Sequence, residues 1–177
     1  MVRSGRLAGR ILMLLGLGGL LPSCGFHPLY AGADGQPTAV QTHLAEINVT
    51  YMPERIGQLI RGDLQARLER DDSGRAKRFD LGVSFGLGSD LIGINPDSSI
   101  SRVRLIGTAR WTLTAQDAKR STLAAGVARD VDGYNVIDEQ YFYGDLQNES
   151  VQRRIADALA EQVTLQLATY FHKHPDL

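Results

Sequence analysis

From Phe79 to Gly88 the chain alternates without a break. Phe79, Leu81, Val83, Phe85 and Leu87 fall on one side, and Asp80, Gly82, Ser84, Gly86 and Gly88 on the other. A period of two sustained over ten residues marks a strand with one face buried and one face open. A chain built around it needs a sheet covered on one side. The run from about Arg102 to Ala115 supplies a second such strand. Val103, Leu105, Ala109, Trp111 and Leu113 point one way, with Gly107 among them. Arg102, Arg104, Ile106, Thr108, Arg110, Thr112 and Thr114 point the other. A turn at Asp117–Arg120 leads into a strand from about Ser121 to Val131, so short connections give an antiparallel meander.

The cover comes from two helical patterns. Ile56, Leu59, Ile60, Leu64 and Leu68 make one amphipathic stripe, opened by Pro53 and closed near Asp71–Gly74. Val151, Ile155, Leu159, Val163, Leu167 and Tyr170 make a second, in a helix expected from about Asn148 to Phe171 with Asn148 as its N-cap. Ala45, Ile47, Val49 and Tyr51 alternate ahead of both, a first strand opened by His43. The order is β-α-β-β-β-α. The fold class is α+β: a two-layer sandwich with a mostly antiparallel four-stranded sheet and two helices on one face. At 43% hydrophobic residues the chain can bury such a core.

The first 23 residues belong to a different logic. Arg3, Arg6 and Arg10 precede Ile11–Leu21, which is entirely apolar or glycine. Eleven residues are too few to span a bilayer, which takes roughly 20, but they suit the apolar core of a secretory signal. Leu21-Pro22-Ser23-Cys24-Gly25 then places the only cysteine directly after it. This resembles a bacterial lipobox. The resemblance implies cleavage before Cys24, with an S-diacylglycerol and an N-acyl chain on that residue. Residues 1–23 are thus expected as a lipoprotein signal peptide, 24–42 as the lipidated cysteine and a tether, and 43–177 as one domain. Gly25, where an Asp would signal retention in the inner membrane, favours the outer membrane.

Composition narrows the chemistry. Without Arg3, Arg6 and Arg10 the 19 Lys and Arg fall to 16, against 20 Asp and Glu, a formal −4. That excludes nucleic-acid binding by bulk charge. One cysteine excludes an intramolecular disulfide and a cysteine-ligated metal cluster. There is no nucleophile elbow, Walker loop or HExxH. Gly86-Leu87-Gly88 lies in a strand and is not read as a nucleotide loop. His172 and His174 make a lone pair in the tail, below what a metal site needs. No enzyme, cofactor or metal is expected.

Two surfaces stand out instead. Arg102, Arg104 and Arg110 share the open face of one strand. Either they are a solvated face or they pair with phosphates of a lipid or acidic groups of a partner. Leu91, Ile92 and Ile94 sit in the link between the second and third strands, read either as local packing or as a tip that enters a partner or a lipid phase.

Cys24-Gly25-Phe26-His27-Pro28-Leu29-Tyr30 is the specific run. It is similar to the CGF-x-PLY start of the LptE family of LPS-assembly lipoproteins, alphaproteobacterial type. Tyr134-Asn135-Val136 before the long helix, and the element order over residues 24–171, are similar too. The resemblance implies an outer-membrane lipoprotein, lipid-anchored on the periplasmic side. It would plug and help assemble an LptD-like β-barrel and assist lipopolysaccharide transfer, without covalent catalysis. The other class is a free lipid-anchored ligand-binding or transporter-auxiliary lipoprotein.

Overall fold

A computed structural model describes residues 37–69, 74–94, 100–136 and 141–177. Its elements are α1 (Ala39–Ala45), β1 (Ile47–Val49), α2 (Arg55–Leu68), β2 (Phe79–Ile94), β3 (Ile100–Ala115), β4 (Thr122–Asn135) and α3 (Tyr141–Lys173). The strands lie in sequence order in one sheet. β1 runs parallel to β2, through Ile47↔Phe79 and Val49↔Leu81. The other pairings are antiparallel, so the sheet is mixed but mostly antiparallel as expected. Parallel neighbours need a crossover, and α2 is that crossover.

The alternation decides what is buried. Phe79, Leu81, Val103, Leu105, Ala109, Trp111, Leu113 and Ala128 face the helices and are buried. Ile60, Leu64 and Leu68 of α2 meet them, as do Val151, Ile155, Leu159, Val163, Leu167 and Phe171 of α3. At 33 residues α3 is about 50 Å long. The 16 residues of β2 reach a similar length, but the helix packs on β3 and β4 and leaves Leu87 and Leu91, on the helix-facing side of β2, exposed. Contact is closest at Gly107, where an added Cβ would come within 2.3 Å of Ile155 Cγ2. A glycine at that register position lets α3 settle directly on β3.

Several boundaries differ from the expectation. Residues 39–42, assigned to a tether within 24–42, form most of α1, so the folded unit begins before residue 43. Its capping box is in the sequence: Thr38 accepts from the Gln41 N–H, and Gln41 Oε1 accepts from the Thr38 N–H. His43 belongs to α1 rather than to a strand, and it is buried between Phe79 and Phe171. β1 keeps only three of the residues expected from Ala45 to Tyr51. Glu54, with φ of 66°, stands between Pro53 and the first turn of α2. β4 continues to Asn135, because its register with β3 is satisfied as far as Arg102. α3 starts seven residues before Asn148, which is therefore no N-cap; its side chain accepts from Gln152 Nε2 at 3.0 Å. Among the described residues the sandwich thus has three helices, with α1 added at one end. The signal segment, Cys24 and the tip residues 95–99 lie outside the described residues.

Candidate functional site

In an antiparallel pair, directly opposed residues share a face, so register gives the composition of the open face. β2 contributes Gly82, Ser84, Gly86, Gly88 and Asp90. β3 contributes Arg102, Arg104, Ile106, Thr108, Arg110 and Thr112. β4 contributes Ala125, Val127, Arg129, Val131 and Gly133. No helix among the described residues covers this face. β2 is nearly bare of side chains here, which leaves the arginines of β3 standing above a shallow floor.

The structure separates the three arginines picked out by alternation. Arg104 is opposite Asp90 and bound to it at 2.7 Å. Arg102 lies towards the hairpin end, opposite Gly93 and Asn135. Arg154 of α3, which donates to Asp132 at 2.6 Å, is the main cause of that acid's lowered pKa, and the charge of Arg102 adds a smaller part. Arg110 is opposite Ser84 and Val127, and among the described residues no carboxylate pairs with it. Asp80, the other acid on this face, is held elsewhere. Asn48, Gln116 and Arg120 donate to it at 2.8, 2.9 and 2.7 Å, and these bonds, Asn48 first, keep its pKa low.

The register adds a fourth cation that the sequence reading missed. Arg129 is opposite Thr108, one diagonal step from Arg110 and about 7–8 Å away at the backbone. It too has no carboxylate partner among the described residues. Val127 and Val131 flank it and are 53% and 48% exposed. Val127, Arg129 and Val131 alternate in the sequence, but which face they join is fixed only by pairing with β3. The result is a surface with two unmatched guanidinium groups beside bare valines, able to take a ligand that carries both anionic and apolar groups.

The expected tip is partly visible. Leu91 and Ile92 are 56% and 48% exposed. Leu91 pairs with Val103 and Gly93 with Arg102, so Ile92 is the extra residue of a bulge and stands outside the ladder. The side chain of Ile94 lies outside the described set. The structure does not bring this end together with Arg110 and Arg129, which sit nearer the middle of the sheet.

The remaining candidates do not assemble. His174 stacks on Tyr170 and bonds its carbonyl at 2.9 Å. Among the described residues no group of three or more His, Cys, Asp or Glu could hold a metal. Gly86 and Gly88 lie in β2, not in a phosphate loop. Among the described residues no helix is long and apolar enough to cross a membrane.

Comparison with known proteins agrees with this architecture. The model of the LptE family, described as lipopolysaccharide-assembly, matches residues 40–167. No curated protein matches significantly. Among solved structures, a Caulobacter crescentus CB15 protein described as a lipoprotein is 21% identical with a TM-score of 0.62, over 77% of this chain and 98% of that one. The rare lipoprotein B of Shewanella oneidensis is 10% identical with a TM-score of 0.55, over 72% and 96%. Lipoprotein B of Nitrosomonas europaea is 13% identical with a TM-score of 0.50, over 72% and 86%. At these identities the likeness is one of fold.

Proposed function

The chain belongs to the LptE family, whose work is lipopolysaccharide assembly, and from that premise we propose that it is an outer-membrane lipoprotein that partners an LptD-like barrel and contacts lipopolysaccharide through the open face of its sheet. Cys24 carries the acyl chains in this reading. The protein binds and positions; no covalent step is assigned to it, and it needs no cofactor.

One observation carries the surface assignment: among the described residues Arg110 and Arg129 have no carboxylate partner, and they stand beside exposed Val127 and Val131. Lipopolysaccharide presents phosphates next to acyl chains. A guanidinium pairs with phosphate through two parallel hydrogen bonds, and valines beside it receive apolar surface that water would otherwise cover. Arg104 contributes less, since Asp90 already occupies it.

The Arg110→Glu/Arg129→Glu variant should retain at least ten-fold less lipopolysaccharide in a pull-down. Arg153→Glu, on the helix layer beside Glu149, should retain as much as the wild type. Equal retention by the double variant would return the face to simple solvation.

The hairpin end supports a second contact, with the barrel. Leu91 and Ile92 are exposed, so serine at both positions should change domain stability by well under 1 kcal/mol while lowering the yield of mature barrel that co-purifies. A collapse of domain stability with a normal barrel would make this end part of the core.

A further inference from the structure

The free edge of β4 is closed along only part of its length. Gln162 donates to the Arg129 carbonyl at 3.2 Å and accepts from the Arg129 N–H at 3.3 Å, and Gln166 donates to the Val127 carbonyl at 3.1 Å. Two helix side chains thus stand in for a missing strand, a common protection against stray pairing. β4 keeps one continuous register with β3 from Ala124 onwards. Alternate residues therefore turn their N–H and C=O outwards, and after Arg129 and Val127 the next is Ala125. Ala125 is exposed, and among the described residues no glutamine bonds to it.

At that point β4 and the last turns of α3 part around an apolar groove of about 550 Å³, lined among others by Trp111, Ala125, Leu165, Tyr170 and Lys173. Leu165 is 46% exposed on its wall. Trp111 Nε1 donates to Gln166 Oε1 at 2.7 Å, so the indole presents only carbon to the groove. An apolar channel beside open strand hydrogen bonds fits an extended segment with large side chains.

We propose that Phe26–Tyr30 of this same chain fill the groove as a short added strand beside Ala125. The chain is long enough. α1 leans on the end of α3: His43 stacks on Phe171 at 5.1 Å and contacts the Pro175 carbonyl through Nε2 at 3.3 Å. Tyr170, Lys173 and His174, which line the groove, belong to that same end of the molecule. α1 itself is only about 10 Å long. The six residues between Tyr30 and Pro37 span about 20 Å when extended.

The chemistry agrees as well. At strand spacing Phe26, Pro28 and Tyr30 share one side, and Phe26–Tyr30 carries neither carboxylate, lysine nor arginine. Pro28 lacks an N–H, which an edge strand tolerates when that nitrogen faces away from the ladder. Docking places a lipid on Cys24 one glycine away from the segment at the end of α3, which is the end of the sheet opposite the β2–β3 hairpin. The docking itself does not depend on the lipopolysaccharide reading.

Hydrogen exchange tests it on the chain from Cys24 to Leu177 as isolated from membranes. The Ala125 and Val127 amides should exchange at least ten-fold more slowly in the wild type than in Phe26→Ser/Tyr30→Ser. Ala128, whose N–H faces β3, should exchange alike in both and so reports an intact domain. Equal exchange at Ala125 in the two chains overturns the proposal. So does protection that fades on dilution, which would assign the groove to a segment from a second copy.

Discussion

Phe171→Ala should destabilise the domain by about 3–5 kcal/mol, the usual cost of removing a fully buried phenylalanine ring. Phe171 is wholly inaccessible, and it joins three parts of the chain that are distant in sequence. Its ring lies 5.3 Å from Phe79 at the start of β2 and 5.1 Å from His43 of α1. Its helix ends in the tail whose Pro175 carbonyl contacts His43. An alanine leaves a cavity at this junction and takes the stacking partner from a buried imidazole. A domain of this size has a total stability of about 5–15 kcal/mol, so the loss is a large share of it. Urea denaturation should show the midpoint falling steeply, and heating should show a melting point about 10 °C lower. Leu146→Ala, at a site on the same helix that is 50% exposed, should stay within about 0.5 kcal/mol of the wild type. A loss below 1 kcal/mol for Phe171→Ala would mean that α1 and α3 do not pack as described.

Cys24→Ala is expected to abolish membrane anchoring. A single acyl chain holds a protein only weakly, at about 10⁴ M⁻¹, while each further buried CH₂ adds about 0.8 kcal/mol, so several chains together hold it for long times. Without the sulfur there is no attachment point, because the chain has no other cysteine. In the variant alone, residues 1–23 are exchanged for a signal that is cleaved without prior lipidation; otherwise the uncut apolar core could anchor it. Purified wild-type protein should then enter the detergent phase on cloud-point partition, and Cys24→Ala should stay in the aqueous phase. Mass spectrometry should find diacylglyceryl and acyl additions on residue 24 of the wild type. An unmodified thiol in material from native envelopes would remove the lipoprotein anchor from the proposal.

Much of the sheet was legible because its signal is local. Period two over Phe79–Gly88 and Arg102–Ala115 states which side chains share a face, and the structure keeps both assignments intact. α2 was legible through the spacing of Ile60, Leu64 and Leu68. α1 was masked by small and polar residues: Ala39, Gln41 and Thr42 give little periodicity, and the Thr38–Gln41 box was the only marker. β1 was read too long because alternation continues through Thr50 and Tyr51, whereas the partner strand offers pairing only from Ile47 to Val49. Asn148 looked like a cap, yet a cap-type residue can also sit inside a helix, and here its side chain accepts from Gln152 one turn further on.

The candidate site shows the same division. Alternation placed Arg102, Arg104 and Arg110 together, but their charge state as a surface depended on partners from other strands. Asp90 neutralises Arg104 only because a particular register sets them opposite, and Arg129 joins Arg110 only because β4 returns beside β3.

The sequence by itself determined the α+β class, the buried face of the two long strands, the stripe of the last helix and the family to which the opening run Cys24–Tyr30 is similar. These are written in neighbouring residues, where backbone geometry alone turns spacing into direction. Tertiary structure decided which arginines remain unpaired, which end of the sheet exposes Leu91 and Ile92, and how far the β4 edge is closed by Gln162 and Gln166. Those outcomes depend on strand register and on the seating of α3, which set distances between residues tens of positions apart, and no local pattern carries that information.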